Sequence, residues 1–256
     1  LIHGDSQRHL QFNDEEHPVA LQLGGSSPKE LAIAAKMGAD FGYDEINLNC
    51  GCPSDRVQNG AFGACLMREP LLVRDCVSAM NDAVAIPVTV KHRLGIDDDN
   101  SYNIVRDFVG TVAQGGSHVF IAHARNAWLK GLSPKENREV PPLKYDWVYR
   151  LKQDFPELTI VLNGGITSLD DSQRHLEYVD GVMLGREAYQ NPWLLSQVDA
   201  QLFDEPQPGV RRLDVAEWLM PYLDSTIADG GRVNHVLRHV LGLYQRQPGG
   251  KLFRRL

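Results

Sequence analysis

A short β-branched run, a polar residue at its end, a loop and then an amphipathic helix recur along most of this chain, and that unit leaves few folds open. Strands are predicted at 19–23, 45–49, 88–90, 119–122, 159–162 and 181–184. Ser27-Pro28-Lys29-Glu30 reads as a capping box with proline at the first helical position, opening a helix to about Met37. Further helices fit 71–84, 102–113, 145–154, 169–178 and 192–203. Strands that alternate with helices pair in parallel through right-handed crossovers, so the fold class is α/β.

Two architectures satisfy that pattern: an open doubly wound sheet and a TIM (β/α)8 barrel. No G-x-G-x-x-G follows a strand, so the dinucleotide fingerprint of the open sheet is missing. Gln22, Asn49, Lys91, His123, Asn163 and Arg186 all fall at or just past the C-terminal ends of their strands. In a barrel those ends form one face, where all six side chains would converge.

A barrel has eight strands and six are visible. Asn163-Gly164-Gly165 and Gly185-Arg186 close the last two. Barrels commonly hold phosphate on the loops after strands seven and eight. The visible strands are therefore expected to be three to eight, with the first two absent. The chain begins Leu1-Ile2-His3-Gly4 without an initiator Met, which fits a missing N-terminus. After about Phe203 the alternation stops, Pro206 and Pro208 mark a linker, and a helical region starts at Leu213. The expected organisation is a partial barrel over 1–205 and a small helical domain, itself cut short, over 210–256.

Composition narrows the function. With 256 residues, 43% of them hydrophobic and 23% charged, the chain is one large domain or one plus an appendage, and not a disordered segment. No apolar run approaches the roughly 20 residues of a membrane helix, and no secretory leader opens the chain. The four cysteines (Cys50, Cys52, Cys65, Cys76) are not spaced as a disulfide framework, which points to reduced thiols in a cytoplasmic protein. The net charge of −7 excludes a uniformly basic nucleic-acid binder. Yet from Arg232 onward Arg238, Arg246, Lys251, Arg254 and Arg255, with His235 and His239, face no Asp or Glu at all. That asymmetry fits a polyanion contact made by one region, and equally a solvated helix face.

Asn49-Cys50-Gly51-Cys52-Pro53-Ser54 follows a strand and turns sharply, presenting Cys52 on a strand-end loop. A free thiol with an ordinary pKa near 8.5 is a proton donor at neutral pH, or a nucleophile where a neighbour lowers that pKa. The alternative is a pair of buried thiols. No metal site is expected, since Cys65 and Cys76 lack the usual close ligand spacing. Lys91 and Arg93 alternate, so both point to one side of the strand. A lysine there forms a Schiff base, binds phosphate, or sits against a flavin ring. The Asn-Gly-Gly and Gly-Arg turns offer backbone N–H groups and a guanidinium suited to a phosphate monoester such as that of FMN.

The segments Asn47-Leu48-Asn49-Cys50-Gly51-Cys52-Pro53-Ser54 and Gly60-Ala61-Phe62-Gly63-Ala64-Cys65-Leu66 resemble the signature of the tRNA-dihydrouridine synthases. Leu21-Gln22-Leu23-Gly24-Gly25, Val90-Lys91-His92-Arg93, His123-Ala124-Arg125, Asn163-Gly164-Gly165 and Gly185-Arg186 follow in the family's order. The segment from Gly131 to Arg138 resembles the A-type subfamily, which acts at positions 20 and 20a of the tRNA D-loop. The likeness runs from about residue 15 to the end. It implies Cys52 as proton donor to uridine C5. It implies FMN binding by Gln22, Lys91, His123, Asn163, Gly164, Gly165, Gly185 and Arg186. It implies tRNA contacts from Asn49, Lys135, Arg138 and Arg254, and NADPH as reductant. A monomer with no protein or membrane partner is expected.

Two departures stand out. Cys50 occupies a position that is usually aliphatic in the family, so it is expected to pack inward. The family's first strand, with its FMN-contacting loop, is not in this sequence. Rival readings are another FMN barrel acting on a small molecule such as dihydroorotate, a Lys91 Schiff-base aldolase, and an inactive fragment.

Overall fold

The computed structural model describes residues 1–2, 4, 6–54, 62–207 and 209–254. His3, Gly60, Ala61, Pro208 and Arg255, all named above, lie outside the described residues. These fall into two compact units: Leu1–Gly165 with Leu176–Met183, and Ile166–His175 with Leu184–Leu256.

The first unit is built on six parallel strands: β1 Ala20–Leu23, β2 Glu45–Cys50, β3 Val88–His92, β4 Val119–His123, β5 Thr159–Asn163 and β6 Gly181–Met183. They pair in sequence order from β1 to β6. A doubly wound sheet reverses its order at a switch point, whereas this one runs on without reversal, as the strands of a (β/α)8 barrel do. The strands β3, β4 and β5 reach one or two residues further than the sequence suggests. Lys91 pairs with Asn49 and His123 with Asn163, so the polar residues are rungs of the ladder rather than the first residues of loops.

A five-residue helix, α1 (Ser6–Leu10), precedes β1. Helix α2 (Pro28–Phe41) starts as expected, with the Ser27 hydroxyl accepting from the Glu30 N–H at 3.4 Å. It outruns the expected Met37 and stops where Gly42 takes φ +107°. Helices α3 (Pro70–Ala83), α4 (Tyr102–Ala113) and α5 (Tyr145–Asp154) follow β2, β3 and β4. Each buries one stripe, such as Leu31, Ala34, Ala35 and Gly38 on α2, or Val73, Cys76, Val77 and Met80 on α3. Gly38 is required by proximity: a Cβ there would lie 2.6 Å from Leu21 Cδ2 and 2.8 Å from Ile46 Cδ1. The helices cover Ile46, Leu48, Val90, Phe120, Ile160 and Leu162, all fully buried. Each such side chain contributes about 1.5–3 kcal/mol.

The second unit is helical. Helix α6 (Leu169–Leu176) is two residues shorter than expected, and α7 (Arg186–Gln190) begins directly after Gly185. The single helix expected over 192–203 is instead a 3-10 turn, Pro192–Gln197, followed by α8 (Val198–Leu202). The Ser196 hydroxyl donates to the Trp193 carbonyl at 2.8 Å, a local bond that competes with α-helical pairing. The expected region from Leu213 resolves into α9 (Arg212–Ala228), α10 (Val233–Leu237) and α11 (Gly250–Phe253). Its interior is tied by Leu223 and Leu243, both buried, and by Arg212, whose guanidinium lies over the Trp193 ring and donates to the Leu243 carbonyl. Among the described residues no helix is long and apolar enough to cross a membrane.

Candidate active site at the strand ends

Asn49 organises the loop that presents Cys52. Its side-chain oxygen accepts from the backbone N–H groups of Gly51 (3.0 Å) and Cys52 (3.1 Å), the Asx geometry that redirects a chain leaving a strand. Further pins are the Ala64 N–H donating to the Cys52 carbonyl at 2.9 Å and the Cys52 thiol reaching the Ser54 hydroxyl at 3.5 Å. The Cys52 side chain is half-buried, open enough to meet a substrate. Cys50, two residues earlier, has no exposure at all, and burial followed by the neighbouring Cys76 pushes its pKa far up. Cys76 is pushed up to about 11, also chiefly by burial. The adjacent thiols are therefore sorted: one is presented, the other is core.

Five of the six strand-end residues belong to the first unit. Gln22 accepts from the Asn49 amide at 3.2 Å, so the ends of β1 and β2 meet. Lys91 donates to the Asn163 side-chain oxygen at 3.0 Å, spanning from β3 to β5, and the Asn163 amide donates to the Met183 carbonyl at 2.7 Å. Burial, then the nearby Arg93, lower the Lys91 pKa to about 8. No carboxylate among the described residues forms a salt bridge with Lys91. An ammonium so placed gains from an anion beside it.

His123 is buried against the Asn-Gly-Gly turn. Gly164 has φ +111° and Gly165 φ +76°, and a Cβ on Gly164 would sit 2.4 Å from His123 Cδ2. Only glycine lets this turn approach the imidazole so closely. The Tyr145 hydroxyl fastens the turn by donating to the Gly164 carbonyl at 2.9 Å. Gly185 and Arg186 belong to the second unit, as the N-cap and first residue of α7. Arg254, also in that unit, follows α11 and is exposed.

Lys135 and Arg138 project from the loop after β4 and are exposed, while Asn137 between them is fully buried. Its amide donates to the carbonyls of Trp128, Leu132 and Ser133, and its oxygen accepts from the Trp128 N–H at 2.7 Å. Asn137 thus turns an exposed cationic loop into a fixed one. Arg93, 5% exposed, ties that loop to the thiol loop. It donates to the carbonyls of Gly51 (3.2 Å), Asn126 (3.4 Å) and Asn137 (2.9 Å). Burial, then Arg125 and Arg138, lower its pKa to about 10, and Cys52 acts in the opposite sense. His92 is not part of this chemistry. It is packed between Phe108 and Phe120, and burial lowers its pKa to about 4, so it is neutral.

Sequence reasoning reached the strand-end residues but not Asn137, Tyr145, Thr89 or the carbonyl partners of Arg93. Only the alternation of Asn47 with Asn49 on one face of β2 offered a signal for the deeper polar contacts.

Parallel strands in sequential order, with a thiol loop, a buried lysine and a glycine turn at their C-terminal ends, define an enzyme of the (β/α)8 class. The model of the family described as Dihydrouridine synthase (Dus) matches residues 1–256. The tRNA-dihydrouridine(20/20a) synthase of Vibrio vulnificus is 57% identical over 256 residues, covering 100% of this chain and 78% of that protein. That of Pseudomonas syringae pv. tomato is 58% identical over 256 residues, covering 100% of this chain and 76% of that protein. The structure of morphinone reductase in complex with tetrahydroNAD superimposes with a TM-score of 0.47 at 15% identity, covering 66% of this chain and 47% of that one. The chain belongs to the dihydrouridine synthase family.

Proposed function

We propose that this chain reduces uridine to 5,6-dihydrouridine at positions 20 and 20a of the tRNA D-loop, with FMN as cofactor and NADPH as reductant. The half-buried Cys52 thiol, held by Asn49 at the end of a polar strand row, carries the reading. The names of the relatives at 57–58% identity support the substrate.

The strand ends suit a flavin. A buried lysine that forms no salt bridge with a described carboxylate favours an electron-rich ring, and Gly164 lets the Asn-Gly-Gly turn close directly on His123. Gln22, Lys91, His123, Asn163, Gly164 and Gly165 of the first unit would hold the cofactor, and Gly185 and Arg186 of the second unit are assigned to it by the family resemblance alone. When bound, FMN supplies the electron pair for uracil C6, drawn from NADPH.

The chain's own part is proton delivery and positioning. Cys52 gives its thiol proton to C5 as the C5–C6 double bond is reduced. Asn49 fixes the loop that aims the thiol and contacts the RNA. Lys135 and Arg138 contact the tRNA backbone, and so, separately, do Arg254 and the basic stretch that begins at Arg232. The target uridine leaves its stack to reach the thiol. A single-turnover assay of Cys52→Ala tests the reading. Flavin reduction by NADPH persists while dihydrouridine formation falls about 10²–10⁴-fold. Unchanged dihydrouridine yield would remove Cys52 from its role.

A further inference from the structure

The face of β2 that bears Asn49 carries Glu45, Asn47 and Asn49 in one row. Gln22 on β1 and Thr89 on β3 stand level with Asn47. Together these side chains form one directed chain of hydrogen bonds. The Thr89 hydroxyl donates to Glu45 Oε1 at 2.5 Å, and Asn47 Nδ2 donates to Thr89 Oγ1 at 2.7 Å. Gln22 Nε2 donates to Asn47 Oδ1 at 2.7 Å, and Asn49 Nδ2 donates to Gln22 Oε1 at 3.2 Å. The chain ends with the Gly51 and Cys52 N–H groups donating to Asn49 Oδ1.

Every link points the same way, and the polarity has an origin. A carboxylate only accepts, so Thr89 must donate to it and keep a lone pair for the Asn47 amide. Asn47 then turns its oxygen to Gln22, Gln22 turns its oxygen to Asn49, and Asn49 turns its oxygen to the thiol loop. A reversed amide in the last position would set an NH2 group against two N–H donors and expel the loop. Asn47 (4% exposed) and Thr89 (1%) have little water to substitute for a lost link.

We infer that Glu45 is a remote positioning residue. Its carboxylate sets the amide orientation of Gln22 and Asn49, and through Asn49 the placement of Cys52. Its consequence for turnover rests on the dihydrouridine reading, whereas the placement of the thiol loop does not.

The test uses the 256-residue chain with Glu45→Met, Thr89→Val, Thr89→Ser and the Glu45→Met/Thr89→Val pair. The readout is the rate of iodoacetamide alkylation at Cys52, resolved from Cys65 by fragment-ion mass spectrometry. Glu45→Met and Thr89→Val raise the Cys52 rate about fivefold, as expected when a hydrogen bond worth about 1 kcal/mol no longer holds the loop. The Cys65 rate stays at the wild-type value. Thr89→Ser keeps the hydroxyl and the wild-type rate, and the double variant is no faster than Thr89→Val alone, because both cut one chain. Cys52 rates within twofold of wild type in both single variants, additive effects in the pair, or a lowered melting temperature as the only change would each overturn the inference. In a dihydrouridine assay kcat falls about tenfold with KM for tRNA within twofold, the split expected when thiol placement rather than binding is lost. If the wild-type chain makes no dihydrouridine, the functional reading falls and the alkylation rates still decide the role of Glu45.

Discussion

Cys50 and Cys52 are two residues apart and have opposite surroundings, so substitution should separate them cleanly. Cys50→Val fills a dry core position and leaves dihydrouridine formation within about twofold of wild type, since volume-conserving core changes cost under about 1.5 kcal/mol. A turnover loss as large as that of Cys52→Ala would mean that the buried thiol takes part. Lys91 offers a second test at this scale, through protons. Its pKa is lowered from 10.5 to about 8, so the folded chain binds fewer protons than the unfolded one between those values. Stability therefore rises with pH through that window. An anionic cofactor beside the ammonium works in the opposite direction. FMN binding at pH 8.5–9 should take up a fraction of a proton, seen as a dependence of the calorimetric enthalpy on buffer ionisation heat. Lys91→Met should abolish that dependence. Proton release on binding would contradict the contact.

At the level of loops and turns, two placements follow from backbone carbonyls rather than from charge pairs. Arg93 closes on Gly51, Asn126 and Asn137, so Arg93→Ala leaves acceptors unpaired in two loops at once. A loss of about 2 kcal/mol or more in urea unfolding is expected, together with faster tryptic cleavage at Lys130 and Lys135. A variant as stable and as protease-resistant as wild type would show that the clasp is idle. Gly164→Ala forces a side chain into φ +111° and against His123, at a cost of about 1–3 kcal/mol, read from the melting transition. The strand ends were legible in the sequence because glycine and polar residues punctuate each one. The clasp was not, because the partners of Arg93 lie 42, 33 and 44 residues away and any residue supplies a carbonyl. Asn47 and Thr89 escaped notice for a related reason. Inside a strand they read as ordinary rungs until the register sets them side by side.

For the whole chain, charge sets the expected behaviour toward RNA. The total is acidic, so under the proposed function affinity comes from grouped cations such as Lys135 and Arg138, which flank the buried Asn137. Removing either should weaken tRNA binding and lower the slope of log affinity against log salt by about 0.7–0.9. Arg138→Ala with lost flavin and an unchanged salt slope would reverse its assignment. The order of strands was recoverable from the βα alternation. The breaks within the helical unit were not, since a local bond such as Ser196 to Trp193 decides them. One consequence of the sheet reaches into experiments of a different kind. Along β2, Ile46, Leu48 and Cys50 press against helices while Glu45, Asn47 and Asn49 carry the polar row. A saturation scan of this strand, scored separately for protein abundance and for product per molecule, would give two profiles of period two, one residue out of phase.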